Sequence, residues 1–438
     1  MTNNYQKNVP RTTAELRLAM PETVSVAMSE IAEDMQEGLL ALAVGAGLQV
    51  MTALMEADVS AACGPKGKHD AARTAVRHGH EKGSVTLGGR RVSVDRPRIR
   101  TADDTAELPV PAYELFSGTE ILGRLAMQKM LAGISTRRYS AVGLEPVGVK
   151  TEQAAGAVSR SAVSRRFVAA TETALIELLA APLGEQDLVA LMIDGITFGE
   201  HLCVCALGIG IDGVKHPLAL VEGDTENTTV VKDLLAGLRE RGLDTTRPIL
   251  IGVDGAKALT AAVKRVFDHP VIQRCQIHKV RNVEDRLPKE LGNTVAKRMR
   301  KAYHAETALA AEAQLEALAR ELERTHPGAA ASLREGLAET LTVQRLGVPP
   351  TLARTLRSTN AIESMNSIAR THSRNVKHWK SGNMALRWCA AGMVEAGKQF
   401  RRVNGHMHLA SLRRALDEHV ATETVSTTSQ TDPANAAA

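Results

Sequence analysis

The sequence predicts an α/β catalytic core set within a longer, largely helical chain, multidomain and α+β overall. Two stretches carry that expectation. Residues 188–199 (LVALMIDGITFG) form an apolar run with one acid, Asp194, followed by glycine. Residues 248–258 (PILIGVDGAKA) repeat the arrangement, with Asp254 in the same place. Runs of aliphatic and β-branched residues bounded by glycine read as buried strands. An ionised carboxylate at the end of such a strand is costly unless it is paired or holds a cation. Two of them suggest a single acidic site that binds metal.

The order of elements around these strands is the third observation. The first strand ends at Asp194-Gly195. A second strand over residues 201–211 and a third over 214–221 meet at Asp212-Gly213, a favoured type I′ pair, so Asp212 reads as a turn residue. A helix over 227–241 follows, then the strand to Asp254, a helix to Phe267 and a short strand over 271–274. Three meandering strands, helix, strand, helix, strand is the order of the ribonuclease-H-like fold. There the first and fourth strands lie side by side, so Asp194 and Asp254 would face one point. Residues 284–346 are rich in alanine, leucine, glutamate and arginine at helical spacing, an all-helical insertion closed by Pro349-Pro350. A basic helical region follows, broken near Ser381-Gly382.

Upstream, residues 1–20 are polar and expected to be disordered. Residues 21–62 are helical, with Pro21 and Glu22 suiting a first turn and Cys63-Gly64-Pro65 a stop. Residues 84–100 form a hairpin about Gly88-Gly89, a ribbon whose Arg90, Arg91, Arg96, Arg98 and Arg100 would suit a phosphate backbone. Residues 118–183 read as mostly helical. Within them, Ser135–Arg138 and the helix-like TEQAAGAVSRSAVSRRFVAA would form either helix-turn-helix units or an ordinary bundle. The expected organisation is a DNA-binding region over 21–183, a catalytic core over 188–283 and 351–416, an insertion over 284–350, and a disordered tail over 421–438.

Composition narrows the function classes. A chain of 438 residues with 44% hydrophobic and 24% charged residues is an ordinary globular protein, large enough for two or three domains. Net charge is only +5, but residues 64–100 hold ten Lys/Arg against three acids, and residues 370–402 hold eight against one. Two such clusters beside an acidic pair point to nucleic acid. Five scattered cysteines imply no disulfide framework and fit a reducing cytoplasm. No signal-peptide core is visible at the N-terminus, and the apolar residues 38–55 contain Gln49 and three glycines, so a membrane is not an expected partner. Neither a phosphate-binding GxxxxGK[ST] loop nor a nucleophile elbow occurs.

The third acid is Glu363, in STNAIESMNSIAR. With Asn360 as N-cap it would complete a capping box, a purely structural role. On the first turn of a helix packed on the sheet, it would instead complete a site for two divalent ions, Mg2+ or Mn2+. Such ions activate an attacking oxygen and stabilise the leaving one in an in-line phosphoryl displacement.

These motifs resemble the Mutator-type bacterial insertion-sequence transposases, which carry an Asp–Asp–Glu triad on a ribonuclease-H-like core with a helical insertion before the Glu. The resemblance runs from about Leu48 to Leu416. It rests on VALMIDGITFG, ILIGVDGAKAL, RCQIHKVRNV with its Cys-x-x-His of Cys275 and His278, and STNAIESMNSIARTHSRNVKHW. RTAVRHGHEKGSVTLGGRRVSVDRPRIR resembles the family's N-terminal DNA-binding segment, although Arg77-His78-Gly79-His80 departs from the usual Arg-Asn-Gly-aromatic. The resemblance implies recognition of terminal inverted repeats, hydrolysis at the element end, and attack of the freed 3′ hydroxyl on target DNA. Asp194 would bridge the two metals, with Asp254 and Glu363 each holding one and His278 acting close by. A homodimer or higher homo-oligomer, nucleoid-associated in a bacterial cytoplasm, is the expected state. Arg73, Arg77, Arg96, Arg98, Arg100, Lys279, Arg281, Arg370, Arg374 and Lys377 are the expected DNA contacts. Trp379, between His378 and Lys380, is the tryptophan expected to stack on a base. Cys275 and His278 could alternatively join Cys203 and Cys205 in a zinc site. Two other readings compete: a structure-selective nuclease of the same fold, such as a junction resolvase, and a catalytically silent repressor derived from a transposase.

Overall fold

The computed structural model describes residues 22–430, apart from 69, 71, 148, 156 and 224–226. The expected N-terminal segment 1–20 and the end of the tail, 431–438, lie outside the described residues. The chain divides into two compact units, one comprising residues up to 130 with 134–167, the other 131–133 with 168 onward.

The first unit opens with one long helix, α1 (Glu22–Cys63). Its hairpin is longer than expected: β1 (Ala75–Leu87) and β2 (Arg90–Thr101) pair across the whole run, with a register irregularity between Arg77 and His80. Gly88 and Gly89 make the turn at φ 55° and 73°, left-handed backbone that glycine adopts without strain. A short β3 (Glu107–Leu108) adds to β2. Met55, Val59 and Cys63 of α1 pack on Ala75 and Ile99 of the ribbon. Four helices follow: α2 (Pro111–Ser117), α3 (Glu120–Leu131), α4 (Tyr139–Val142) and α5 (Val149–Ala155). The helix-like run TEQAAGAVSRSAVSRRFVAA breaks before α6 (Arg160–Ala180), because Ser159 Oγ accepts from Ala162 N at 3.2 Å and caps a new helix.

The second unit holds a five-stranded sheet in the order β6-β5-β4-β7-β8. β4 (Leu188–Phe198), β5 (His201–Gly210) and β6 (Lys215–Glu222) form an antiparallel meander. β7 (Ile249–Val253) then lies parallel to β4, and β8 (Pro270–Arg274) parallel to β7. The crossovers are α7 (Thr228–Glu240), capped by Asn227 Oδ1 accepting from Thr229 N at 3.0 Å, and α8 (Lys257–Val266). Side chains alternate across the sheet. Leu191 and Ile193 of β4 pack with Leu235 and Leu238 of α7 and Leu259 and Val263 of α8. Ala190, Met192 and Ile196 face the opposite layer, and Asp194 shares their parity.

A separate helical core follows: α9 (Gln276–Glu284), α10 (Lys289–Ala302), α11 (Ala308–Glu323), α12 (Pro327–Arg334), α13 (Leu337–Thr340) and α14 (Thr342–Arg345). These helices close around Met299, Leu315, Leu318 and Leu333. After α15 (Pro350–Leu356), the chain lays α16 (Asn360–Ser373), α17 (Gly382–Gln399) and α18 (Leu409–Gln430) over the second face of the sheet. Ile362, Met365 and Ala369 supply the buried stripe of α16. Burying the first two contributes roughly 1.5–3 kcal/mol each. A Cβ on Gly392 would stand 2.7 Å from the Ala369 backbone, so glycine there sets how closely α17 approaches α16. The tail expected to be disordered from Ala421 is helical as far as Gln430, and Thr422 Oγ1 satisfies the Glu418 carbonyl within that helix. Among the described residues, no helix is long and apolar enough to cross a membrane.

Candidate active site

The parallel pairing of β4 with β7 matches Ala190 to Leu250, Leu191 to Ile251 and Met192 to Gly252, an offset of sixty residues (250 − 190). Carried two steps further, the same offset sets Asp194 level with Asp254. Asp254 stands just past the end of β7, and its Oδ1 accepts from Ala256 N at 2.9 Å, which shapes the turn into α8. β4 does not end at Asp194, contrary to the sequence-based expectation. It continues to Phe198, because its other edge stays paired with β5, where Asp194 sits opposite Cys205. Asp194 is thus held in a strand on one side and freed of its parallel neighbour on the other.

Glu363 arrives from α16. The N-cap of that helix is Thr359, not Asn360, and the alternative capping box does not form: Thr359 makes no side-chain cap hydrogen bond. Its hydroxyl instead donates to Glu363 Oε1 at 2.7 Å. One turn on, buried Asn366 donates from Nδ2 to Asp194 Oδ2 at 2.9 Å. Asn366 Oδ1 has no partner among the described residues. Helical spacing of three puts Glu363 and Asn366 on one face. The sequence reading missed Asn366, and that spacing was the available signal.

Cys275 and His278 complete the surroundings. Cys275 Sγ accepts from Thr359 N at 3.5 Å, and the ring of His278 lies 4.0 Å from Glu363 Oε1. One donor atom each from Cys275, His278 and Glu363 falls within 4.8 Å of the others. Burial raises the Asp194 carboxyl above the aspartate range, and the negative charge of Asp254 adds to it, with a smaller push from Glu363. The Gly195 N–H and His278 act against that rise. The hydrogen bond with Cys275 raises His278, with Glu363 and Asp194 reinforcing it against the opposing effect of burial. Burial pushes the Cys275 thiol up, but hydrogen bonds from His278 and Thr359 outweigh it and leave the thiol below its ordinary value. The result is a set of acids that act on one another electrostatically, with Glu363 beside a thiol–imidazole pair.

Residues 21–403 match the family described as "Transposase, Mutator family". The chain belongs to the Mutator family of transposases. It is 27% identical over 371 residues to the transposase for insertion sequence element ISRM5 of Rhizobium meliloti (strain 1021), covering 83% of this chain and 90% of that one. It is 31% identical over 242 residues to the transposase for IS6120 of Mycolicibacterium smegmatis, covering 54% of this chain and 73% of the relative. The transposase for IS256 in transposon Tn4001 of Staphylococcus aureus is 24% identical over 334 residues, 74% of this chain and 81% of the relative.

Several residues expected to meet DNA are placed otherwise in this transposase. Lys279 is buried, and its ammonium donates to the carbonyls of Ser332 (2.7 Å) and Glu335 (2.5 Å). It holds α9 to α12 and offers nothing to solvent. Trp379 packs on Phe198, ring centroids 4.9 Å apart, and edge-on against Trp388 at 6.4 Å, so core packing engages the ring expected to stack on a base. The ribbon arginines are largely neutralised within their own unit. Arg96 and Arg98 pair with Glu81 and Glu107, Arg100 with Asp104, Arg77 with Glu56, and buried Arg90 lies 3.6 Å from Glu152. Arg73 is half-buried, while Arg281, Arg370, Arg374 and Lys377 are exposed. Cys203 and Cys205 share a strand face as expected, but they pack with Cys389, at 3.6 Å from Cys205, in the apolar core. A joint zinc site with Cys275 and His278 is not assembled.

Proposed function

We propose that this transposase binds the terminal inverted repeats of its own insertion element and performs metal-dependent cleavage and strand transfer. Asp194, Asp254 and Glu363 act together on a ribonuclease-H-like core. The observation that carries the reading is the β4–β7 register, which sets the two aspartates level while Glu363 bears electrostatically on the same carboxylate. The donor set fits Mg2+ or Mn2+: three carboxylates, one destabilised by burial and like charge, favour a hard cation. Asp194, Asp254 and Glu363 would hold such ions, which when bound lower the cost of charge on the attacking and leaving oxygens.

The chain's own residues prepare that site. Asn366 fixes one Asp194 oxygen and Thr359 one Glu363 oxygen, so both carboxylates are oriented before DNA arrives. Cys275 and the neighbouring acids shift His278 toward its protonated form, and when protonated it would place positive charge beside Glu363, where a phosphodiester would bring negative charge. DNA would be bound by a homodimer or larger homo-oligomer in a bacterial cytoplasm, at the nucleoid.

A strand-transfer assay with element-end DNA tests the reading. Magnesium-dependent joining of the 3′ end to target DNA is the expected product. Cleavage of branched DNA regardless of the element end would favour the nuclease reading, and end binding without cleavage the repressor reading.

A further inference from the structure

Between the helical core of α9–α14 and the α15–α16 segment lies a cavity of about 340 Å3. It is large enough for a small ligand, whose sites span roughly 300–1,000 Å3. Four arginines line it: Arg281, Arg300, Arg354 and Arg357. Arginines elsewhere in this unit, such as Arg274, Arg298, Arg334 and Arg413, have carboxylate partners. The four cavity arginines have none among the described residues. Burial depresses the Arg357 guanidinium, and the charge of Arg354 depresses it further, so like charges are concentrated there without compensation. The floor is apolar, with Ile277, Val280 and the ring of Tyr303. Tyr303 is 5% exposed, packed in the helical core with its hydroxyl toward Thr340. An adjoining cavity of about 410 Å3 shares Tyr303, Arg354 and Arg357, and one acid, Glu306, lines it.

The position matters as much as the lining. Gln276 and Ile277 of the wall lie between Cys275 and His278 in sequence, and Ser358 and Asn360 flank Thr359, the residue that holds Glu363. The cavity and the acidic centre are built from the same two chain segments. Clustered guanidinium groups call for a phosphate. An apolar floor with an aromatic ring and planar guanidinium groups calls for a base.

We propose that this cavity holds one unstacked nucleotide of a DNA strand engaged at the acidic centre, with its phosphate on the arginines and its base between their guanidinium planes and the Ile277 wall. The proposal rests on DNA being the substrate. Its test therefore measures binding without cleavage, in full-length protein carrying Asp194→Asn. A short single-stranded oligodeoxynucleotide with one 2-aminopurine is titrated by fluorescence, and dAMP is titrated in parallel. The oligonucleotide should bind with a change in 2-aminopurine emission. Arg354→Ala with Arg357→Ala should weaken it at least tenfold and flatten the salt dependence by about 0.7 in log–log slope for each phosphate no longer neutralised. Arg300→Ala, at an exposed position on α10, should act in the same direction and decides the matter if the double variant does not fold. Unchanged affinity and slope in these variants, with DNA still bound, would overturn the cavity assignment alone. Failure of the parent protein to bind any DNA would overturn the substrate reading beneath it. Arginine-dependent binding of dAMP without binding of the oligonucleotide would overturn the strand assignment.

Discussion

Replacing Glu363 by glutamine separates its two possible roles. The side chain keeps its shape, and its amide oxygen can still accept from Thr359 Oγ1, now at 2.7 Å from Glu363 Oε1. What changes is one unit of charge. A hydrogen bond to a charged group contributes roughly 1.5–3 kcal/mol and a neutral one roughly 0.5–1.5, so the bond weakens by about 1 kcal/mol. The side chain is 31% exposed, so solvent screens part of that loss. Relief of the repulsion that Glu363 exerts on Asp194 acts in the opposite direction. Net stability should therefore move by less than about 1 kcal/mol, a melting shift within about 4 °C. Activity should fall at least about a thousandfold, since about 4 kcal/mol of transition-state stabilisation leaves with a metal ligand. Differential scanning calorimetry and strand transfer on element-end DNA measure the two quantities. A Glu363→Gln protein that joins ends within tenfold of the wild-type rate would refute the catalytic assignment.

Three further outcomes are expected. Asn366→Ala should keep the fold but free one Asp194 oxygen, lowering strand-transfer activity about 10- to 100-fold, the worth of one charge-assisted hydrogen bond; unchanged kinetics would remove Asn366 from the site. In EDTA, Asp194→Asn should melt above the wild type at neutral pH. The folded carboxyl titrates above its unfolded value, so the aspartate's contribution is present at low pH and lost as pH rises through the folded value; a melting difference independent of pH would contradict this. Burial lowers Lys279 to about 8, so the unfolded chain binds more protons between about pH 8 and the ordinary lysine value of 10.5. Wild type should therefore gain on Lys279→Met across that window, by an amount of order 3 kcal/mol, and parallel stability curves would count against the buried ammonium.

The sheet was legible because its signals are local. Strand runs and the Asp212-Gly213 turn declare themselves within a few residues and fall where the structure has them, although only Gly213 takes a positive φ, so the turn is not the expected type I′. The continuation of β4 beyond Asp194 was not legible, since it depends on pairing with β5 and not on the Asp-Gly pair itself. Charge counting along the ribbon could not show its ion pairs, for a related reason. Of the acids that pair with its arginines, Glu81 lies inside the basic window and Asp104 one turn beyond it, whereas Glu56, Glu107 and Glu152 lie outside it and meet it only through folding. Lys279 looked like a surface cation beside Arg281, but it lies four residues before buried Val283 on the inward face of α9. The Thr359–Glu363 bond escaped because the capping pattern reads from Asn360, three residues before Glu363, and the hydroxyl that engages the carboxylate lies one residue further back.

The helical segment between Gln276 and Arg357 leaves and rejoins the core at one place. Gln276 N donates to Arg357 O at 3.0 Å, and Thr359 N to Cys275 Sγ at 3.5 Å, so the two ends are stitched together at the base. The intervening stretch hangs from that collar and is also tied to β8, where Gln273 bonds Thr340 O and Val343 N and Arg274 pairs with Glu339. Closing a flexible loop costs only about 0.6 kcal/mol more for each doubling of its length. The loops of this segment away from β8 are therefore free to lengthen or shrink, while the collar keeps the start of α16 beside Cys275. A chimaera joined at Gln276 and Arg357 would have to keep Thr340, Val343 and Glu339, the partners of Gln273 and Arg274, to hold the collar in place.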